Sequence, residues 1–146
     1  MQFPDKIHYT TSATWDKKTG GTVKSGDYVV EFDTPERYGG MGRASCPDQL
    51  FLSSITGCLM NTFLNFKKRL EAETSDIVIK AEMDIEIQGN EGYRIKEIEL
   101  VIKVAAPDEM LKLNRKCAEL AFDYCHLTHS IKNSINFTNR IEVTKG

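Results

Sequence analysis

The chain has 146 residues, a length that suits a single domain. Forty per cent hydrophobic and 27% charged residues form an ordinary globular composition. The net charge of −2 provides no basic stripe to neutralise phosphates, so we expect no nucleic-acid partner.

The first part of the chain is predicted to form strands and a glycine-rich loop. Residues 1–6 lack the apolar stretch of a secretory signal, so we expect a cytoplasmic protein. Residues 7–14 are rich in β-branched side chains and predict a strand, followed by a turn at 16–21. Another strand is predicted at 28–32. Residues 35–42 hold three glycines and predict a loop.

A long helix is predicted from Pro47 to about Ala72. Proline is favoured at the first helical position, because its missing N–H would have no helical partner there. Residues 49–66 carry no charge, and apolar side chains cover most of the helix surface, which indicates burial on most sides. The run contains Ser, Thr and Asn and is shorter than the roughly 20 apolar residues that span a bilayer, so we expect no membrane segment.

The rest of the chain is predicted to form a hairpin, two helices and a strand. Alternation of mainly apolar with mainly polar residues predicts the two hairpin strands. The predicted ranges are 77–88 and 97–104 for the hairpin, 107–124 and 127–133 for the helices, and 135–143 for the strand. This order predicts one α+β domain over residues 1–146, with helices packed against antiparallel sheet.

Cys58 and Cys125 occupy matching helical contexts, the first inside the long helix and the second at the end of a later one. If the fold brings them together, they form a dithiol that can cycle to a disulfide. That chemistry needs no metal and no organic cofactor. Four cysteines in a chain without a signal indicate thiols in a reducing compartment.

Reactivity at Cys58 would require a cation from elsewhere in the fold. The cysteine lies about three turns inside its helix, where the helix dipole does not stabilise a thiolate. Burial by itself raises a thiol pKa. The candidate cations are Lys17, Lys18, Arg37 and Arg43. Without one of them Cys58 is core filler, and helix periodicity alone favours that interpretation.

The other thiols and the histidines give weaker signals. Cys46 precedes Pro47 at the start of the long helix, where it is either a reactive thiol or a capping residue. Cys117 falls on an apolar helix face and is interpreted as a core residue. His126 and His129 follow Cys125 at a spacing that only weakly suggests a metal site, and we expect no metal. Histidines near a helix end more often bind carbonyl groups.

Nearly the whole chain resembles the OsmC/Ohr family of osmotically inducible and organic hydroperoxide resistance proteins, in the order of its elements and in the separation of its two cysteines. Residues 38–58 have its glycine-rich loop, its proline and its helix of small residues leading to a cysteine. Residues 125–137 have its second cysteine, a hydroxyl-containing turn and a final strand. The resemblance implies an OsmC-like α+β fold, with two antiparallel sheets around long central helices, in an intertwined homodimer.

The resemblance also implies thiol peroxidase chemistry in oxidative-stress defence. Cys58 would attack an organic hydroperoxide and become a sulfenic acid, and Cys125 would then form a disulfide with it. A small dithiol would reduce the disulfide. The substrate pocket would be apolar, lined by residues such as Phe51, Ile55 and Phe63.

The chain differs from the family pattern at three positions. Lys18 is the closest match to the activating arginine, Asp48 replaces a glutamate, and His126 replaces a proline after the second cysteine. Lys18 and Asp48 are therefore the candidates for thiolate support. Asp48 lies ten residues before Cys58, about 15 Å on a straight helix, so its support would require a bend or the partner chain.

Two alternatives stay open at this stage. One is a small-molecule-binding protein of the same fold without peroxidase activity. The other, a weaker one, is a hotdog-type acyl-CoA thioesterase, which also wraps sheet around one long helix.

Overall fold

The computed structural model describes residues 4–146, which form six strands and three α-helices. Contacts between Cα atoms group the chain into two units, residues 1–51 and 52–146. Among the described residues, none of the helices combines the length and apolar character needed to cross a membrane. The elements are β1 (Thr11–Trp15), β2 (Gly20–Ser25), β3 (Tyr28–Asp33), α1 (Pro47–Arg69), β4 (Asp76–Ile87), β5 (Tyr93–Ala106), α2 (Leu111–Tyr124), α3 (His126–Ile131) and β6 (Asn136–Lys145).

The N-terminal unit contains an antiparallel sheet in the order β1-β2-β3. The strand predicted at 7–14 begins later, at Thr11, and the predicted strand at 28–32 is confirmed as β3. Two adjacent glycines begin β2 because the neighbouring strands approach them closely. A Cβ at Gly20 would lie 2.2 Å from the carbonyl oxygen of Phe32, and one at Gly21 would lie 2.1 Å from that of Thr14.

One face of this first sheet is apolar and lies open. Side chains alternate between the two faces of a strand, so the strand register assigns each residue to a face. On this face Trp15 is 61% exposed, Tyr28 80% and Val30 45%. We call it the apolar face of the first sheet; its members are Ala13, Trp15, Val23, Tyr28, Val30 and Phe32.

A buried carboxylate anchors the segment that follows β3. Asp33 accepts hydrogen bonds from Arg43 Nε at 2.6 Å and from Thr19 Oγ1 at 2.6 Å, and its side chain is 1% exposed. Arg43 also forms an ion pair with Asp16 at 2.5 Å. The Arg43 guanidinium holds the pKa of Asp33 well below its usual range. Within the predicted loop 35–42, one 3-10 turn forms at Glu36–Tyr38.

Helix α1 begins at Pro47, as predicted, and ends at Arg69, before the predicted Ala72. Its start is capped by Gln49 Oε1, which accepts the backbone N–H of Cys46 at 3.0 Å. Its end is set by Glu71, whose φ of 55° is left-handed. The N–H of Ala72 then donates to the carbonyl of Lys67 at 3.0 Å, the bond typical of a Schellman motif.

The C-terminal unit contains a mixed sheet in the order β4-β5-β6. Strands β4 and β5 form the predicted antiparallel hairpin, whereas β6 runs parallel to β5. This differs from the expectation of purely antiparallel sheet. The reason is that α2 and α3 connect β5 to β6, and a connection of that length allows a strand to return in the same direction. The α+β fold class is confirmed.

The core of this unit combines residues from α1, β5 and α2. Each element contributes one buried face, which follows from the 3.6-residue period of the helices and the two-residue period of the strand. The fully buried residues include Ile55, Leu59, Phe63, Ile98, Leu100, Ile102, Val104, Cys117, Ala118 and Ala121.

A buried amide ties α2 to the segment that follows α1. The side chain of Asn114 is fully buried and donates to the carbonyl oxygens of Glu73 at 2.7 Å and Met110 at 3.0 Å. Its Oδ1 accepts the hydroxyl of Thr74 at 2.6 Å. The buried polar group is thereby fully hydrogen-bonded, as a protein interior requires.

Candidate active site

Two cysteines distant in sequence meet in the C-terminal unit. Cys58, in α1, is half-buried, and Cys125, between α2 and α3, is fully buried. The two thiols lie close enough for Cys125 to raise the pKa of Cys58, and both are free. The proximity on which the dithiol hypothesis depends is therefore present in the structure.

Cys125 is placed by a break between two helices. Its backbone is extended, with φ −65° and ψ 107°, so α2 stops there and α3 starts in a new direction. The N–H of Cys125 still donates to Ala121 at 3.0 Å, and its carbonyl accepts the N–H of His129 at 3.0 Å. Thr128 Oγ1 donates to the same carbonyl at 3.1 Å. The break is thus fully hydrogen-bonded, although it interrupts the helix.

The residues that follow the break also reach Cys58. His126 Nδ1 lies 3.6 Å from Cys58 Sγ, and the backbone N–H of Leu127 hydrogen-bonds to the Cys58 thiol. Three consecutive residues of one short segment, Cys125 to Leu127, therefore surround a single sulfur atom. The sequence interpretation of His126 as a helix-end residue missed this contact. The signal for it was its position directly after the second cysteine.

A ring contact fastens α1 to the end of α2. Phe66 and Tyr124 have ring centroids 5.5 Å apart, with their planes tilted by 53°. Tyr124 directly precedes Cys125, and Phe66 lies two turns after Cys58 in α1. Such an aromatic pair contributes about 0.5–1.5 kcal/mol beyond its buried area. The contact helps to hold the two cysteine-bearing segments side by side.

The electrostatics of the pocket favour the protonated thiol. Burial raises the pKa of Cys58, and the adjacent Cys125 raises it further. The Leu127 N–H and the Thr62 side chain oppose this and lower the pKa, but the balance remains upward. A thiolate at Cys58 therefore requires a partner that takes the proton.

The cations considered from the sequence all lie in the N-terminal unit. Lys18 sits in the β1–β2 turn, where its carbonyl accepts Trp15 Nε1 at 2.8 Å. Lys17 lies over the Trp15 ring at 5.1 Å, and Arg37 lies beside Tyr38. Arg43 is held between two carboxylates, so its cluster carries one positive and two negative charges.

The remaining candidates have separate places in the fold. Asp48 is exposed in the first turn of α1, and Cys46 precedes that turn, where its backbone N–H donates to Gln49 Oε1. Cys117 is fully buried, as predicted for a core residue. Ile55 and Phe63 were expected to line a pocket, but they are 1% and 0% exposed and belong to the core. Among residues 4–146, no three side chains of His, Cys, Asp or Glu converge in a way that would hold a metal ion.

The family model of OsmC-like proteins matches residues 40–140. The chain belongs to the OsmC-like family. This confirms the family resemblance, and the match crosses the boundary between the two units. No curated protein matches the chain in sequence.

Solved structures share the OsmC-like fold at low sequence identity. An organic hydroperoxide resistance protein from Elizabethkingia anophelis is 19% identical with a TM-score of 0.77, covering 97% of this chain and 100% of that one. An organic hydroperoxide resistance protein OsmC from Legionella pneumophila is 16% identical with a TM-score of 0.75, covering 93% and 97%. An OsmC-like protein from Mycoplasma pneumoniae is 14% identical with a TM-score of 0.79, covering 97% and 99%.

Proposed function

We propose that this OsmC-like protein is a cysteine-based peroxidase that reduces alkyl or lipid hydroperoxides in oxidative-stress defence in the cytoplasm. The observation that supports the proposal is the contact between the Cys58 and Cys125 side chains. Two thiols in contact can form a disulfide with only a small movement of the chain. The similar structures include organic hydroperoxide resistance proteins, which agrees with this chemistry.

The exposure of the two cysteines supports the role proposed for each sulfur atom. Cys58 is half-buried and reachable, so its thiolate attacks the distal oxygen of the hydroperoxide. The S–O bond forms as the O–O bond breaks, leaving Cys58 as a sulfenic acid and releasing an alcohol. Cys125 is fully buried beside it and attacks the sulfenic sulfur, forming the S–S bond and releasing water. A small dithiol then reduces the disulfide by thiol–disulfide exchange.

The functional unit in this proposal is a homodimer. The apolar face of the first sheet exposes Trp15, Tyr28 and Val30, side chains that a stable domain would cover. The family resemblance implies that a second copy of the chain covers this face. In that dimer Lys18 and Asp48, both exposed, are the proposed supports for the thiolate of the partner chain.

Peroxide consumption by matched variants tests the proposal. The purified protein is mixed with cumene hydroperoxide and dihydrolipoamide, and the peroxide remaining is followed over time. We expect turnover in the wild type, its loss in Cys58→Ser, and normal turnover in Cys46→Ser. Without reductant, one equivalent of peroxide should produce a Cys58–Cys125 disulfide, detected by peptide mass spectrometry. A Cys58→Ser variant with unchanged turnover would refute the role of Cys58.

The raised pKa of Cys58 favours one other function, a small-molecule-binding protein without peroxidase activity. In that case Cys58 stays a protonated thiol, and the hydroperoxide is not consumed. The same assay separates the two functions, because the wild type would then show no turnover with any hydroperoxide. A bound apolar ligand, seen by native mass spectrometry of the purified protein, would support this second function.

A further inference from the structure

The inference concerns the contact between His126 and Cys58, and it rests on the proposed peroxidase function. His126 Nδ1 is 3.6 Å from Cys58 Sγ, a distance over which a thiol and an imidazole can share a proton. The imidazole is exposed, so it can exchange protons with water. Imidazole is also the side chain that gains and loses a proton near neutral pH.

We propose that His126 is a catalytic residue, which accepts the thiol proton of Cys58 and returns it to the departing alkoxide. In the first step the S–H bond breaks and an N–H bond forms at Nδ1, giving a thiolate beside an imidazolium. The thiolate then attacks the distal oxygen of the hydroperoxide, and the O–O bond breaks. The alkoxide takes the proton from Nδ1, which leaves an alcohol, a neutral imidazole and a Cys58 sulfenic acid.

The surroundings of Cys58 explain why a neighbouring base is needed. Within residues 4–146, the other groups that act on the pKa of its thiol are the Cys125 thiol, the Leu127 N–H and the Thr62 side chain. None of these three groups is a base that would hold a proton at neutral pH. Arg43, four residues before α1, is already held by Asp33 and Asp16.

The local backbone keeps the imidazole in place. His126 is the first residue of α3, directly after the extended residue Cys125. The carbonyl of His126 accepts the hydroxyl of Ser130 at 2.6 Å, and the carbonyl of Cys125 accepts the N–H of His129. The same break in the helix therefore positions both the resolving thiol and the base against Cys58.

The rate of alkylation of Cys58 by iodoacetamide, measured from pH 5 to 10 by peptide mass spectrometry, tests the inference. The variant is His126→Asn, which keeps a polar atom near the position of Nδ1 but cannot take a proton. We expect its rate at pH 7 to fall about tenfold or more, the change in thiolate fraction produced by one unit of thiol pKa. The whole pH profile should also move to higher pH.

His129→Asn is the matched control. His129 lies on the same helix, is exposed, and has its Nδ1 3.4 Å from Lys132 Nζ rather than beside a cysteine. We expect its Cys58 profile to overlay the wild-type profile. In His126→Ala, added imidazole should restore part of the lost rate, because free imidazole can occupy the space of the missing ring. A merely structural role of His126 would not produce that rescue.

Two outcomes would overturn the inference. One is a His126→Asn profile that overlays the wild type, and the other is an equal loss in His126→Asn and His129→Asn. If the wild type consumes hydroperoxide in either case, the proposed function stands without His126 as its base. If the wild type consumes no hydroperoxide but the alkylation profile moves as expected, the thiol–imidazole pair stands and the peroxidase function fails.

Discussion

Val29 and Val30 are neighbours in β3, but their side chains lie on opposite faces of the first sheet. Val30 pairs with Val23 on the apolar face, whereas Val29 pairs with Lys24 on the polar face. Both are exposed, Val29 at 60% and Val30 at 45%. The pair therefore offers two substitutions of the same chemistry on the two faces of one sheet.

We predict that Val30→Lys weakens the proposed homodimer and that Val29→Lys does not. A lysine on the apolar face would place an unpaired ammonium in the interface, where burial of a charge is costly. We expect the dimer dissociation constant to rise about 100-fold or more, the equivalent of about 2.8 kcal/mol. Sedimentation equilibrium measures both variants. Equal behaviour of the two would show that the partner does not cover this face.

A second prediction concerns the acid stability provided by Asp33. Its folded pKa is lowered by the Arg43 hydrogen bond, then by the Thr19 hydroxyl. The ionised Asp33 therefore stabilises the fold fully above the pKa of aspartate in the unfolded chain, about 3.9. This stabilisation is lost as the pH falls through the lower pKa of the folded protein. We expect Asp33→Asn to unfold at lower temperature than the wild type at pH 7. The difference in Tm should shrink as the pH falls from about 5 to about 2.

The control for this prediction is Asp27→Asn in the β2–β3 turn. Asp27 is exposed and lies in the turn that joins two strands of the same sheet, so the substitution makes the same chemical change without removing the Arg43 ion pair. We expect its Tm to follow the wild type at every pH. A difference between Asp33→Asn and the wild type that stays constant down to pH 2 would contradict the role assigned to the lowered pKa.

The elements of this fold follow from local patterns, whereas the site depends on contacts between distant segments. Alternation predicted the β4–β5 hairpin, and Pro47 predicted the start of α1. The parallel pairing of β6 could not be predicted, because the apolar pattern of a strand does not give its direction. The contact of His126 with Cys58 joins residues 68 positions apart. It depends on where the chain places the start of α3 relative to Cys58, which no local pattern encodes.

The partners of Arg43 likewise could not be predicted from local sequence patterns. From the sequence it was a candidate cation for Cys58, because only its charge and its place after the glycine loop were known. Its pairing with Asp33 depends on where β3 ends, and its pairing with Asp16 depends on the β1–β2 turn. Long charged side chains find their partners through the three-dimensional structure, so a candidate chosen by charge alone is easily reassigned.

A third prediction concerns the buried amide of Asn114. Asn114→Ala leaves the carbonyl oxygens of Glu73 and Met110 and the hydroxyl of Thr74 without their partner. We expect a loss of about 1–3 kcal/mol in the free energy of unfolding, the cost of leaving buried polar groups unsatisfied. Urea denaturation followed by circular dichroism gives the value.

A double-mutant cycle with Thr74→Val isolates the hydrogen bond between the two side chains. The losses in Asn114→Ala and Thr74→Val should not add in the double variant, because both remove the same 2.6 Å bond. Simple additivity would mean that Asn114 stabilises the protein only through the two backbone carbonyls. In that case the Thr74 hydroxyl would have no energetic role in this contact.

A fourth prediction concerns Cys117 at alkaline pH. Burial raises the pKa of this thiol in the folded protein, and the charge of Lys67 only partly opposes it. Above the unfolded thiol value of about 8.5, the unfolded chain releases a proton that the folded chain retains, so stability falls as pH rises. Alanine at this position cannot release that proton. We therefore expect the wild type to lose stability relative to Cys117→Ala between pH 8 and pH 10. Urea denaturation under reducing conditions measures the free energy of unfolding of both proteins. A difference between them that stays constant over this range would show that the Cys117 thiol does not titrate on unfolding.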